Sequence, residues 1–201
     1  MGAATAWPEL AAVILAGGGG TRVGGRDKPS LLVGGVAMLD TVLGAVAGAG
    51  LRIVVGPPRD GLPEGVRTVR ESPAGAGPAA ATAVALALIP PEGPELVGVF
   101  AADLPHLTAA AVGVLIGAIS DGVDGAVFVD GRGKRQLLCG VWRAEALRGA
   151  VERLGEAEGK SMRAVFEGLV VAEVGWGRAG PAPYYDCDTD EDLRRAEGAS
   201  A

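Results

Sequence analysis

The stretch Ala11-Ala-Val-Ile-Leu-Ala16 followed by Gly17-Gly-Gly-Gly20 decides the fold. Six apolar residues in a row, without alternation, mark a strand buried on both faces, as in a parallel sheet covered by helices. Working outward, the same signature recurs: 52–55 is stopped by Gly56-Pro57-Pro58, 66–69 is a short third strand, and 96–101 runs into Ala102-Asp103. Helical stretches separate them. One spans 38–49 and closes near Gly50, a second follows Pro78 to about 89, and a third, capped by Thr108, runs to 119. The apolar stretches 31–33 and 36–38 flank Gly34-Gly35, which predicts a tight turn. In the second half, 125–129, 137–141 and 169–174 read as strands. Helices are expected over 144–154, from near Ser161, and after Asp188-Thr189. Alternating strands and helices imply an α/β fold: a Rossmann-like three-layer sandwich with a mostly parallel central sheet, in one domain over 1–201. Ligands in such sheets sit beyond the carboxyl ends of the strands, which selects the loops 17–28, 56–60 and 102–106.

Composition narrows the function. A net charge of −6 argues against a general affinity for nucleic acid or an anionic membrane, so an anionic substrate needs a local basic site. Cys139, Cys187 and the single His106 cannot supply the four ligands of a Cys/His zinc site, and nothing requires a disulfide. The longest apolar stretches fall short of the roughly 18 residues of a membrane span, and no signal-peptide pattern opens the chain; the expectation is a cytoplasmic protein.

The glycines after the first strand let backbone N–H groups approach a phosphate without Cβ obstruction. From Arg22 to Lys28 there are three cations and one anion, a local reversal of sign in an acidic chain. A Walker A loop needs glycine before the lysine, where Asp27 stands. In the dinucleotide pattern GxGxxG, counted from Gly17, the third glycine falls on Arg22. Asp103 follows the strand over 96–101, where the strand-end rule puts a ligand. It is either a ligand of Mg²⁺, which takes one or two carboxylates, or the shaper of the turn before Pro105.

Residues 15–28, read as LAGGxxxRxGGxDK, resemble the signature of the molybdenum cofactor guanylyltransferase (MobA-like) family. The resemblance implies a sheet of the nucleotide-diphospho-sugar transferase type, with a nucleotide-binding part at about 11–108 and an acceptor-binding part at about 109–197. It assigns the nucleotide to Leu15, Ala16, Gly17, Gly18, Arg22, Gly25 and Lys28, catalysis to Arg22, Lys28 and Asp103, and Mg²⁺ to Asp103. Related cytidylyltransferases usually read LAAG, so Gly17-Gly18 leans toward guanine. The segment 71–78 is similar to the family's acidic glycine-rich loop, with Ser72 at a nucleotide-contacting position where Asp is frequent. The base-contacting Asn expected past the second strand is replaced by Gly56-Pro57-Pro58. Near the C-terminus, 186–193 resembles NxNTPEDL with Asp186 and Asp188 at the Asn positions. Asp188 is a candidate second Mg²⁺ ligand, an acceptor contact, or the N-cap of the last helix. Arg143, Lys160 and Arg163 fall on the family's acceptor side, where an acceptor phosphate or plain solvent awaits them. His106 has no role in the motif.

The activity implied is Mg²⁺-dependent transfer of GMP from GTP to molybdenum-loaded molybdopterin, with contact to molybdoenzymes or their chaperones. Alternatives are a molybdopterin cytidylyltransferase, a nucleotidyltransferase for another small phosphorylated metabolite, and a nucleotide-binding regulator without turnover. The absence of G-x-S-x-G and the single histidine weaken a hydrolase reading.

Overall fold

The computed structural model describes residues 6–17 and 27–199. The opening strand β1 is Trp7–Leu15. It sends Leu10, Ala12 and Ile14 into one apolar cluster and Ala11, Val13 and Leu15 into another. Period-two alternation within a continuous apolar run places both faces in the interior. The hairpin of β2 (Leu32–Val33) and β3 (Val36–Ala37) turns on Gly34 and Gly35, at φ 58° and 81°. Both positive values suit the expected two-residue turn.

Helix α1 (Met38–Ala45) leads to β4 (Ala49–Val55), β5 (Val66–Val69), α2 (Pro78–Leu86) and β6 (Leu96–Ala101). Then come α3 (Ala109–Gly117), β7 (Gly125–Val129), β8 (Arg135–Arg143), α4 (Ala144–Leu154), α5 (Met162–Val165), β9 (Val171–Gly175) and α6 (Asp190–Ala199). Among the described residues the main sheet runs β5-β4-β1-β6-β8-β7-β9, and β8 alone is antiparallel to its neighbours. Side chains of α1 and α3 cover one face; those of α2, α4 and α5 cover the other. This is the mostly parallel three-layer α/β sandwich expected.

Three helices are shorter than the sequence predicts; α3 ends at Gly117 rather than at 119. The first ends at Ala45, because Ala49 and Gly50 are drawn into β4, where Ala49 pairs with Trp7. A Cβ on Gly50 would lie 2.3 Å from the Pro8 carbonyl oxygen, so the close strand contact itself requires glycine there. The second ends at Leu86, ahead of a turn to Pro90. Strand β8 is longer than its apolar run, since pairing with β6 reaches Arg143. Among the described residues no helix is long and apolar enough to cross a membrane.

Chain order reverses at β1: the sheet grows through β4 to β5 on one side, then resumes with β6 on the other. A crevice at the carboxyl ends of β1 and β6 follows from that reversal.

Candidate active site

At that reversal the Leu15 carbonyl accepts from Ala102 N–H at 3.1 Å, and Ala16 N–H donates to the Val55 carbonyl at 2.8 Å. The chain therefore leaves the sheet at Ala16, between the ends of β4 and β6. Gly18, Arg22 and Gly25, assigned to the nucleotide above, lie outside the described residues. The chain is described again from Asp27, and a 3-10 turn over Lys28–Ser30 carries Lys28 back over the crevice.

Lys28 Nζ donates to the Asp103 carboxylate and, at 2.8 Å, to Asp188 Oδ1. Lys28 and Asp103 are mostly enclosed, at 19% and 18% side-chain exposure, while Asp188 is half open at 53%. Burial works against the lysine's charge, but the two carboxylates outweigh it and hold its pKa above the ordinary lysine value. Asp186 stands beside them. Its carboxyl is pushed up by burial first, then by the charges of Asp188 and Asp103.

The C-terminal segment reaches this crevice through Cys187, whose N–H donates to the Asp103 carbonyl at 3.4 Å. The Cys187 side chain is buried with Val33, Met38 and Ala196, pinning the segment between the β2–β3 hairpin and α6. The cap of α6 is Thr189, not Asp188. Thr189 Oγ1 accepts from Asp192 N–H at 3.1 Å, and Asp192 Oδ2 accepts from Thr189 N–H at 2.8 Å. This reciprocal capping box satisfies the helix end one residue later than expected and leaves the Asp188 carboxylate for Lys28.

Does this donor set suit a divalent cation? Among the described residues no cluster of three or more His, Cys, Asp or Glu is built to hold a metal. Two carboxylates meeting around an ammonium are nonetheless a cation site, and Mg²⁺ keeps most of its octahedron for water and phosphate. Asp103 and Asp188 fit that requirement.

Two residues at the crevice were not singled out by the sequence. Arg59, in the loop after β4, grips Asp27 with both terminal nitrogens at 2.5 and 2.7 Å and reaches the Ala16 carbonyl at 3.3 Å. The strand-end rule selected its loop, but a lone cation among Gly and Pro carries no motif. Glu71 is 8% exposed and lies against Gly17, where an added Cβ would meet its Oε1 at 3.4 Å. Its Oε1 accepts from Gly75 N–H at 3.0 Å, and its buried Oε2 has no hydrogen-bond partner among the described residues. The neighbouring Ser72, the position expected to touch nucleotide, is exposed.

The acceptor-side cations are not brought to this cluster. Arg143 pairs with Leu96 at the opposite end of β6 from Asp103, and its guanidinium donates to the Val123 and Ser120 carbonyls at 2.9 and 3.1 Å. Antiparallel β8 put it there, since its last residue lies beside the first residue of β6. Lys160 and Arg163 are exposed at the start of α5; the turn before it touches the 71–78 loop, with Gly159 N–H donating to the Ala76 carbonyl at 2.8 Å. His106 is half-buried near the Tyr185 ring, and burial lowers its pKa.

A family model described as the MobA-like NTP transferase domain matches residues 12–174. No curated protein matches the sequence. Solved structures with the same fold include a nucleotidyl transferase from Methanothermobacter thermautotroptrophicus, 20% identical with a TM-score of 0.72 over 94% of this chain and 96% of that one. The molybdopterin-guanine dinucleotide biosynthesis protein A from Archaeoglobus fulgidus is 18% identical, with a TM-score of 0.70 over 94% and 97%. The 2-C-methyl-D-erythritol 4-phosphate cytidylyltransferase from Thermus thermophilus is 23% identical, with a TM-score of 0.66 over 94% and 97%.

Proposed function

The chain belongs to the MobA-like NTP transferase family, and from that premise we propose that it transfers GMP from GTP to molybdenum-loaded molybdopterin, releasing pyrophosphate. The observation that carries the reading is the meeting of Lys28 with Asp103 and Asp188 at the carboxyl ends of β1 and β6. The terminal phosphate of the acceptor attacks the α-phosphorus of GTP, and the bond to the β-phosphate oxygen breaks. That phosphate is already an anion, so no serine or cysteine nucleophile is required. Lys28 and Arg22 present positive charge to the polyphosphate and stabilise the negative charge that builds on the departing pyrophosphate oxygen in the transition state. Asp103 and Asp188 would hold Mg²⁺, which when bound joins phosphate oxygens and offsets the charge developing on them.

Glu71 supports guanine as the base. Guanine offers two adjacent donors, N1–H and the 2-amino group, to a carboxylate. Cytosine offers its 4-amino group alone. The buried Glu71 carboxylate beside Gly17 can accept both guanine donors, one on Oε2, which has no partner among the described residues, and one on the second lone pair of Oε1, which already accepts from Gly75 N–H. The likeness to a cytidylyltransferase fold keeps cytidyl transfer as the second reading.

The deciding experiment follows pyrophosphate release with Mg²⁺, molybdenum-loaded molybdopterin, and GTP or CTP in parallel. Release with GTP alone is expected, reduced by at least about a hundredfold in Asp103→Ala and Lys28→Ala. Glu71→Gln is expected to erode the preference for GTP by roughly 10- to 100-fold, the range of one hydrogen bond to a charged group. Release with CTP alone transfers the reading to the cytidylyl reaction. Nucleotide binding without release under either condition points to another acceptor or to a regulator.

A further inference from the structure

We propose that Arg59 is a positioning residue for this transfer: it ties Ala16 to Asp27, the two flanks of the glycine-rich segment, and so holds Lys28 in register with Asp103 and Asp188. One guanidinium makes all the connections. Nη1 donates to Asp27 Oδ2 at 2.5 Å and to Ser30 Oγ at 3.3 Å, while Nη2 donates to Asp27 Oδ1 at 2.7 Å and to the Ala16 carbonyl at 3.3 Å. Ser30 in turn donates its hydroxyl to Asp27. The Arg59 side chain is only 11% exposed. Asp27 immediately precedes Lys28, and both belong to the short turn that ends at Leu31.

The chemistry explains why arginine stands there. A planar fork with paired N–H groups matches both oxygens of a carboxylate, and its remaining donor capacity reaches a third partner; a lysine is a point charge on a flexible stem. Tying Asp27 to the Ala16 carbonyl fixes the turn that carries Lys28 before any ligand arrives, and preorganisation of that kind lowers the cost of binding. The pair also manages charge. Asp27 is an anion one residue from Lys28, beside the place where a polyphosphate must lie. Neutralised by Arg59, it neither repels the phosphates nor competes for Lys28. The hydrogen bonds of Arg59 go to Asp27, Ser30 and Ala16 and, among the described residues, not to Lys28, Asp103 or Asp188, so it acts through Asp27.

The test uses the full chain with Arg59→Ala, Arg59→Lys, Asp27→Asn and the double variant Arg59→Ala/Asp27→Asn. The first readout is amide hydrogen exchange at Ser30 and Leu31, whose N–H groups close the turn on the Asp27 and Lys28 carbonyls, in the ligand-free protein; it does not depend on the transferase reading. The expected result is exchange at least tenfold faster in each variant, no rescue by lysine, and a double variant no worse than Arg59→Ala. The second readout is the steady-state split: KM for Mg·GTP, or Mg·CTP if that is the substrate, rises tenfold or more while kcat falls by less. Unchanged exchange in both Arg59→Ala and Asp27→Asn, or strictly additive effects in the double variant, overturns the proposal. Asp27 is half exposed, so Asp27→Asn gives a folded comparison even if Arg59→Ala does not.

Discussion

Asp27 and Arg59 stand 32 residues apart, and their pairing sets a measurable pH dependence. The Arg59 hydrogen bond, helped by the Ser30 hydroxyl, holds the Asp27 carboxyl below the ordinary range against a smaller opposing effect of burial. Because the folded value lies below the unfolded one of about 3.9, the stabilisation is fully present above that pH and fades as pH falls through the depressed folded value. Urea unfolding of the protein and of Asp27→Asn should therefore differ by a constant amount from neutrality to about pH 5, and converge at lower pH. A difference that grows on acidification would contradict the assignment. Comparison with the variant is essential, because Asp192 is also held low, by the Thr189 hydroxyl and N–H. At this scale Lys28 and Asp103 were legible in the sequence, since each closes a recognisable strand-end motif. Arg59 and Glu71 were not, because their partners are fixed by loop packing and no local pattern encodes it.

At the scale of elements, the sheet shows where glycine is a packing residue. Gly125 on β7 pairs across from Trp142 on β8, and a Cβ on Gly125 would fall 2.2 Å from the indole Cε3. The indole is fully buried and stacked on Phe166, with ring centroids 3.8 Å apart, so it cannot yield. Gly125→Ala should cost about 2–3 kcal/mol through overpacking, read as a lower urea midpoint at unchanged slope. Gly113→Ala makes the contrast. It lies inside α3, where an added Cβ meets only Trp7 at an ordinary 3.7 Å, and it should stabilise by about 0.5–1 kcal/mol. Equal effects at both sites would mean that the indole adapts. The elements themselves were largely legible: α4 and β6 fall on their predicted bounds, and Thr108 caps α3 as expected, accepting from Ala111 N–H at 3.2 Å. What the local pattern missed are ends decided by neighbours: α1 yields Ala49 to a strand pairing, and Thr189 takes the cap of α6 from Asp188.

At the scale of the whole molecule, two buried thiols report on two parts of the packing. Cys139 belongs to a main core cluster beneath α1 and α3, whereas Cys187 belongs to a small cluster under the hairpin and α6. Burial raises both thiol pKa values, that of Cys187 to about 12, so neither is a reactive thiolate in the native protein at neutral pH. In urea below the unfolding transition, Cys187 should label first, through undocking of α6. Cys139 should label only at the rate of global unfolding. Simultaneous labelling would mean that α6 and the sheet open as one unit.

The sequence by itself determined the class of fold, through continuous apolar runs broken by glycines, and singled out Lys28 and Asp103 as candidates, one closing the loop after the first strand and the other following the strand over 96–101. These are relations among chain neighbours, and short-range sterics and hydrophobic periodicity decide them. The tertiary structure alone decided the strand order, the reversed β8 that carries Arg143 away from the crevice, and the convergence of Asp188 on a lysine 160 residues distant. It also decided that Arg59 joins the two flanks of the glycine-rich segment. Those outcomes depend on which surfaces bury one another, a free energy spread over the whole core and written in no single stretch of residues.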